Sequence, residues 1–452
     1  MQSCTTCKLT PIYLTTKEEV QKMTTKKLQW QPIESEQLRN EVERTVRLTA
    51  ERLKEATWEH DASLAGGAAG LCLLYGALDH LFPEEGWDLI GHQSLIAIQQ
   101  RLQTAGVPNL SLWSGLSGTV LAVQALSRGG ERYQKMQASL LHSLLEQLPA
   151  HIEEARSRIA NELRITDYDA VLGLAGIGRV LLAFADREEV RAALHEVLSY
   201  LVTLSGEKEA HGTLVPAWHI HSHLHMREDE FDRYPQGSFN LGLSHGIAGP
   251  LATLSLALLQ GVEIPGQREA IQRFGAWIEH YQTREGNALL WPGRVSFESW
   301  QSGHCAEKVH TPYSWCYGAP GIGRAMWLAG KALDHTDWKE AGIAAYLGVA
   351  DRIDSQWDLC TPNICHGWGG LLHLVQRMYA ETGLAELAPC RDELARRVLD
   401  SFSEQHPYGF NDPASTTQHK PELLEGASGV ALTLLSLLAE DAPEWDMALL
   451  IS

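Results

Sequence analysis

The 452-residue chain lacks any uninterrupted apolar run of about 18 residues, so no membrane-spanning helix is expected. Its N-terminus lacks the apolar core of a signal peptide. Positive charge is in short supply: 37 Lys and Arg stand against 56 Asp and Glu, for a net charge of −19. No basic block is longer than the Lys26-Lys27 pair. Nucleic-acid binding depends on neutralising phosphates and is therefore not expected. An acidic surface would instead tolerate or attract a basic peptide. Cysteine is also sparse, with eight residues scattered over the chain. That usage argues against a disulfide framework and for a reducing, cytoplasmic setting in which some thiols bind metal. An apolar content of 44% argues against wholesale disorder and allows a large core.

What is abundant is a repeated glycine pair. Gly-x-x-Gly occurs seven times, beginning at Gly67, Gly115, Gly173, Gly246, Gly318, Gly367 and Gly426. Each copy opens an apolar run such as Gly70-Leu-Cys-Leu-Leu-Tyr, and each is preceded by an amphipathic stretch. The amphipathic members cover about 36–57, 91–105, 133–160, 188–204, 267–284, 338–356 and 390–404. A helix apolar on all sides is a buried helix. Seven exposed-face helices alternating with seven buried ones predict an all-α fold, an α/α toroid with seven inner and seven outer helices. The glycines serve that packing, letting inner helices begin close together. Residues 1–34 read as a loosely held arm and 35–452 as the toroid. The two longest intervals between copies flank the fourth and predict small strand-containing insertions at about 205–240 and 285–312. The first carries Trp218-His-Ile-His-Ser-His-Leu-His225, an alternation that reads as a strand, and the second carries the strand-like run 288–297.

Aligning the copies concentrates chemistry in one sector. Two residues before the first Gly the series reads Ala65, Trp113, Val171, Ser244, Cys316, Cys365, Leu424; one residue before, it reads Gly66, Ser114, Leu172, His245, Tyr317, His366, Glu425. Cys316, Cys365 and His366 make a three-ligand zinc set with a fourth position open, since zinc favours thiolate and imidazole. The alternative is two buried thiols and a core His. His245 shares the register of His366 but follows Ser244, which makes it a neighbour of the metal suited to moving protons, or else a structural cap. Asp169, four residues before the third motif, either orients His245 or caps its own loop. Cys4-Thr-Thr-Cys7 lacks a second CxxC and belongs with the arm. His219, His221, His223 and His225 share one face of the expected strand, which suits an exposed polar face better than a closed metal site.

These motifs together, Trp315-Cys316-Tyr317-Gly318-Ala319-Pro320-Gly321, Cys365-His366-Gly367 and Asn240 through Gly249, resemble the lanthionine synthetase C-like (lanthipeptide cyclase) family over about residues 36–440. The resemblance implies one zinc per chain on Cys316, Cys365 and His366, an acid/base His at His245 with Asp169 as its partner, and a site Tyr at Tyr317. It implies a stand-alone bacterial cyclase of lantibiotic (antibiotic) biosynthesis. Such an enzyme adds peptide Cys thiolates to dehydroalanine or dehydrobutyrine to form thioether rings in a dehydrated precursor peptide with a leader. A separate dehydratase and an exporter, in a membrane-associated complex, are then expected partners. The alternative is a non-catalytic family member that holds zinc and a thiol such as glutathione. A zinc thiol alkyltransferase would usually take an Asp ligand and a second subunit, and a carbohydrate-active barrel would show paired carboxylates. Bacterial cyclases of the family commonly place an Arg four residues before the first zinc Cys, where this chain has Pro312. Either another Arg fills that place or the role is dispensable.

Overall fold

A computed structural model of the protein describes residues 28–56, 61–307, 313–353, 357–410 and 420–452. Among the described residues, fourteen long helices alternate between two rings. The outer, odd-numbered helices are α1 (Glu36–Leu53), α3 (Trp87–Ala105), α5 (Gln134–Arg158), α7 (Glu188–Leu204), α9 (Gln267–His280), α11 (Thr336–Ala350) and α13 (Leu387–Asp400). The inner, even-numbered ones are α2 (Ala68–Leu81), α4 (Leu116–Ala125), α6 (Leu174–Leu182), α8 (Ala248–Leu259), α10 (Ala319–Leu333), α12 (Trp368–Thr382) and α14 (Ala427–Ser436). The expected α/α toroid is the fold.

Helix α1 shows why outer members sit outside. Ser35 caps its first turn by accepting from Leu38 N, and a single stripe through Leu38, Val42, Val46, Ala50 and Leu53 is buried. In α8, every residue from Ala248 to Ala257 is buried. The inner helices touch in order around the ring, and α14 packs against α2 to close it. Helix α1 lies on α14, so the first outer helix covers the last inner one.

The loops that start the inner helices are tied together by backbone hydrogen bonds. Ala65 N donates to Trp113 O (2.9 Å), Trp113 N to Val171 O (3.1 Å), Ala170 N to Ser244 O (3.0 Å) and Ser244 N to Cys316 O (3.2 Å). Cys316 N donates to Cys365 O (3.3 Å), Cys365 N to Leu424 O (3.2 Å), and Leu424 N returns to Ala65 O (3.3 Å). The circle passes through every aligned motif position. The second glycine of each motif leaves room for the carbonyl of the residue just before the circle position. A Cβ on Gly70 would lie 2.7 Å from Leu64 O and 2.8 Å from Leu423 Cβ, one in its own loop and one in the neighbouring repeat. The glycines therefore admit the loop carbonyls as well as the helix starts.

The inner bore is filled by the chain itself. Residues Leu449, Leu450 and Ile451 are fully buried. Trp315 Nε1 donates to Leu449 O (3.0 Å), Arg324 Nε to Ile451 O (2.8 Å) and Arg179 Nε to Ser452 O (2.6 Å). Buried Asp446 accepts from Arg377 Nε at 2.9 Å and faces His373 Nε2 at 2.9 Å.

Two insertions flank the fourth motif. One holds the hairpin β1 (Glu207–Ala210) and β2 (Thr213–Pro216), whose turn residues His211 and Gly212 both have positive φ. It ends in β3 (Ser238–Asn240). The other holds β4 (Thr283–Glu285), β5 (Ala288–Leu290) and β6 (Arg294–Ser296). Strand β3 pairs with β6, which joins the two insertions. The strand-like run 288–297 is thus two strands, broken at Trp291-Pro292-Gly293.

The strand expected over 218–225 does not form. Only Ile220 bridges to Ser238, and Ser222–Leu224 is a 3-10 turn. Burial overrides the alternation: Trp218 packs on Phe274 and Trp277, and His219 and His225 are inside, not on an exposed face. The arm is corrected in part. Residues 1–27, including Cys4 and Cys7, lie outside the described residues. Trp30 and Ile33 are buried, with Trp30 Nε1 donating to Ser436 O at 2.9 Å, so the stretch just before α1 is held firmly.

Two outcomes follow for stability. Gly70→Ala gains helix propensity worth up to about 1 kcal/mol, yet its methyl must displace backbone. We expect a net loss of about 1–3 kcal/mol in urea unfolding; a neutral or stabilised variant would show that the close approach is not binding.

His219 falls from an ordinary value near 6.5 to about 3, through burial and then the neighbouring His221. Between those values the unfolded chain binds a proton that the folded one refuses. Stability is therefore full above about pH 6.5 and drains away as pH falls toward 3, by about 2 kcal/mol at pH 5. His219→Gln should remove that increment from the pH 7 to pH 5 difference; an unchanged difference would contradict it.

Candidate functional site

Four of the motif loops are shaped first by a short polar side chain. Asp61 Oδ1 accepts from Ser63 N (2.7 Å), Asn109 Oδ1 from Ser111 N (2.9 Å), Asn240 Oδ1 from Gly242 N (3.0 Å) and Asn363 Oδ1 from His366 N (3.0 Å). These local turns hold the loops open at the inner-helix N-termini. The backbone circle then sets neighbouring loops in register.

That register brings Cys316 and Cys365 together across 49 residues of sequence (365 − 316), through the bond from Cys316 N to Cys365 O. With His366 they form the group of His, Cys, Asp or Glu residues, among the described residues, that could hold a metal ion. Their ligand atoms all lie within 4.8 Å of one another. A hydrogen bond from Cys365 and then one with His366 hold Cys316 well below the ordinary thiol range, while Cys365 is pushed well above it. Glu425, the aligned residue of the seventh copy, adds negative charge beside Cys365 and is itself paired with Lys420 at 2.6 Å. The Asn363 amide lies 3.4 Å from His366 Nε2. Two soft sulfurs and an imidazole, one thiol already poised to ionise, suit a divalent metal of the zinc type.

The fourth and third loops bring His245 and Asp169 together. His245 Nδ1 lies 2.6 Å from Asp169 Oδ2. Asp169 is fully buried, and its Oδ1 accepts from Val171 N (3.1 Å), Leu172 N (2.6 Å) and Gly173 N (2.7 Å). One carboxylate oxygen therefore caps the loop and the other receives the imidazole. Because Oδ1 occupies Val171 N, the backbone circle uses Ala170 N at this repeat. With Nδ1–H given to a carboxylate, His245 keeps Nε2 for other partners, and its side chain is 23% exposed.

Tyr317 follows Cys316, its ring 6.3 Å from that of His245. Its hydroxyl accepts from Asn240 Nδ2 (3.2 Å) and feels the positive charge of Arg294. Burial nonetheless raises its phenol above the ordinary value. The position of Pro312 lies outside the described residues; Arg294, from β6, is a cation whose charge acts on Tyr317. Sequence reasoning missed Arg294, Asn363 and Glu425. Asn363 had a signal, an Asn or Asp four or six residues before the first Gly of five motifs, and Glu425 stood in the aligned series. Arg294 had none.

The insertion histidines form a separate group. His211 Nε2 and His219 Nε2 both approach Gln236 O, at 2.8 and 2.9 Å, and His225 Nε2 meets Ser238 Oγ at 2.9 Å. They do not converge as a metal-binding group among the described residues.

Comparison with known proteins agrees with this arrangement. The family model for lanthionine synthetase C-like proteins matches residues 59–450. Nisin biosynthesis protein NisC of Lactococcus lactis subsp. lactis is 27% identical over 386 residues, covering 83% of this chain and 85% of that protein. The solved structure of nisin cyclase matches with a TM-score of 0.75 at 22% identity, covering 92% of this chain and 98% of that one, which is a likeness of fold. The family match spans the inner ring and every loop of the site, and the chain belongs to the lanthionine synthetase C-like protein family.

Proposed function

We propose that the protein is a zinc-dependent lanthipeptide cyclase, closing (methyl)lanthionine rings in a dehydrated precursor peptide. The observation that carries this reading is the adjacency of two sites in one sector. The Cys316, Cys365 and His366 group lies on the two loops next to those of Asp169 and His245, and Tyr317, beside Cys316, has its ring 6.3 Å from that of His245. The names of the similar proteins, a nisin biosynthesis protein and nisin cyclase, point the same way. The acid–base pair favours a catalyst over a purely thiol-binding relative.

Cys316, Cys365 and His366 would hold one zinc. Bound there, zinc would lower the pKa of a peptide Cys thiol and keep its thiolate in place. The remaining chemistry belongs to the chain. His245 Nε2 takes the thiol proton, Asp169 fixing the ring and favouring the imidazolium. The peptide sulfur bonds to the β-carbon of the dehydro residue, whose π pair moves toward the α-carbon and carbonyl oxygen. His245 then returns the proton to the α-carbon, so the step adds and loses nothing overall. Tyr317 stands beside both groups as a hydrogen-bonding partner of the reacting amide.

No helix among the described residues is long and apolar enough to cross a membrane. A cytoplasmic enzyme working with a separate dehydratase and an exporter fits this reading.

The direct test is mass spectrometry of a dehydrated precursor with and without the protein, after thiol alkylation. Ring closure removes alkylatable thiols without changing peptide mass; thiols that stay fully alkylatable for every dehydrated candidate would refute the assignment. Metal analysis should give about one zinc per chain, largely lost in Cys316→Ala and unchanged in the double variant H221Q/H223Q. Full retention in the first variant, or loss in the second, would move the site elsewhere. His245→Asn should keep zinc and slow ring closure by about 10²–10⁴-fold, and a wild-type rate would remove His245 from the chemistry.

A further inference from the structure

Four motif loops are closed by a side-chain oxygen that takes a nearby backbone N–H, yet the side chain differs. In the first loop the acceptor is the carboxylate of Asp61; in the second, fourth and sixth it is the amide oxygen of Asn109, Asn240 and Asn363. Such a turn asks only for an acceptor, so a carboxylate serves it as well as an amide. An Asn brings a second group, its NH2 donor, and the bond made by its oxygen decides where that donor faces. Asn109 is exposed, whereas Asn240 keeps only 1% of its surface exposed. From that buried place Asn240 Nδ2 donates to the Tyr317 hydroxyl at 3.2 Å, across 77 residues of sequence.

Tyr317 is held by its other neighbours as well. A Cβ on Gly242 would lie 2.6 Å from Tyr317 Cδ1, and one on Gly293 would lie 3.2 Å from the same atom, so the ring sits against two glycines. Tyr317 N donates to Ser314 Oγ at 3.2 Å. With the ring seated, the freedom that matters is rotation of the phenolic O–H. An oxygen that accepts from Asn240 cannot aim its own proton at that amide, so the O–H is turned away from it.

We propose that Asn240 is a positioning residue: its oxygen shapes the fourth loop, and its amide nitrogen sets the Tyr317 O–H as donor to the carbonyl oxygen of the dehydrated residue. This rests on the cyclase reading above. As the peptide sulfur bonds to the β-carbon, the double bond's π pair moves toward the α-carbon and the carbonyl oxygen. That oxygen gains negative charge, and a preset O–H stabilises it until the α-carbon takes the proton that the thiol gave to His245. The phenol keeps its own proton throughout.

The test exchanges amide for carboxylate in the zinc-loaded full chain. Asn240→Asp keeps the acceptor that the loop needs, as Asp61 shows, and removes the donor that Tyr317 receives. We expect kcat to fall by about 10–100-fold, KM to stay within about twofold, and zinc content to hold. Asn109→Asp, the same exchange in an exposed turn, should leave kcat at the wild-type value. Tyr317→Phe should fall at least as far as Asn240→Asp, and adding Asn240→Asp to it should cost nothing more. Wild-type kcat in Asn240→Asp would leave Asn240 a turn residue only and overturn the proposal. An equal loss in Asn109→Asp, or losses that multiply in the double variant, would do the same.

A second readout needs no turnover. With ζ-13C-tyrosine labelling, the resonance that vanishes in Tyr317→Phe should shift in Asn240→Asp and stay in place in Asn109→Asp. An unmoved resonance in Asn240→Asp overturns the proposal. An inactive wild type would sink the cyclase reading, while this resonance would still decide whether Asn240 sets Tyr317. If Asn240→Asp does not fold, Asn240→Ser replaces it, with a hydroxyl that accepts in the turn and is too short to reach Tyr317. Reduced kcat with a shifted resonance is then the expected result, and full kcat or an unmoved resonance overturns the proposal.

Discussion

The structure depends on a circle of backbone hydrogen bonds joining seven loops head to tail. Each loop gives one amide and one carbonyl to its neighbours, and the last returns to the first. A peptide bond has only one donor and one acceptor, so a loop that has spent both cannot slide without breaking two contacts. This fixes the height and rotation of every inner helix. It also explains how ligands far apart in sequence become neighbours: Cys316 and Cys365 are adjacent members of the circle, and His366 comes next in the chain. The one irregularity falls at the third loop. Asp169 takes Val171 N for itself, the circle shifts to Ala170 N, and the freed carboxylate oxygen meets His245.

The repeats divide their labour. Copies one, two and seven put Ala65, Trp113 and Leu424 in the circle and serve closure, with α14 resting on both α1 and α2. Copies three to six bring together Asp169, His245, Tyr317 and the Cys316, Cys365 and His366 group. Burying charge under such a site is costly unless every ion is paired. Opposed partners meet part of that demand in the bore: Arg324 faces Glu381, and Arg377 with His373 faces Asp446. Glu381 is held far below the ordinary carboxylate range against its burial, chiefly by the charge of Arg324.

Much of this was legible in the sequence because it repeats. Seven copies of one glycine pair disclosed the helix count, the inner and outer rings and the register that unites Cys316, Cys365 and His366. The glycines could be seen to matter, but not the backbone circle beside them, since hydrogen bonds between backbones carry no residue signature. Asp169 offered two readings, and its two oxygens serve both. The segment 218–225 misled because its alternation was real but its burial was not alternate: Trp218 and His219 both turn inward. Arg294 was invisible because its charge is brought to Tyr317 by the pairing of β3 with β6, two insertions that share no period.

The filled bore has a consequence for traffic. Leu449, Leu450 and Ile451 fill the bore, and Trp315 of the fifth motif loop is bonded to Leu449 O. The toroid is therefore a cup and not a tunnel. A polypeptide cannot be drawn through it like thread through a needle's eye; it must back out by the way it came. For a substrate with several rings to close, the catalyst would see one loop of chain at a time, and the sequence of closures would be written by successive visits, each shaped by the rings already made.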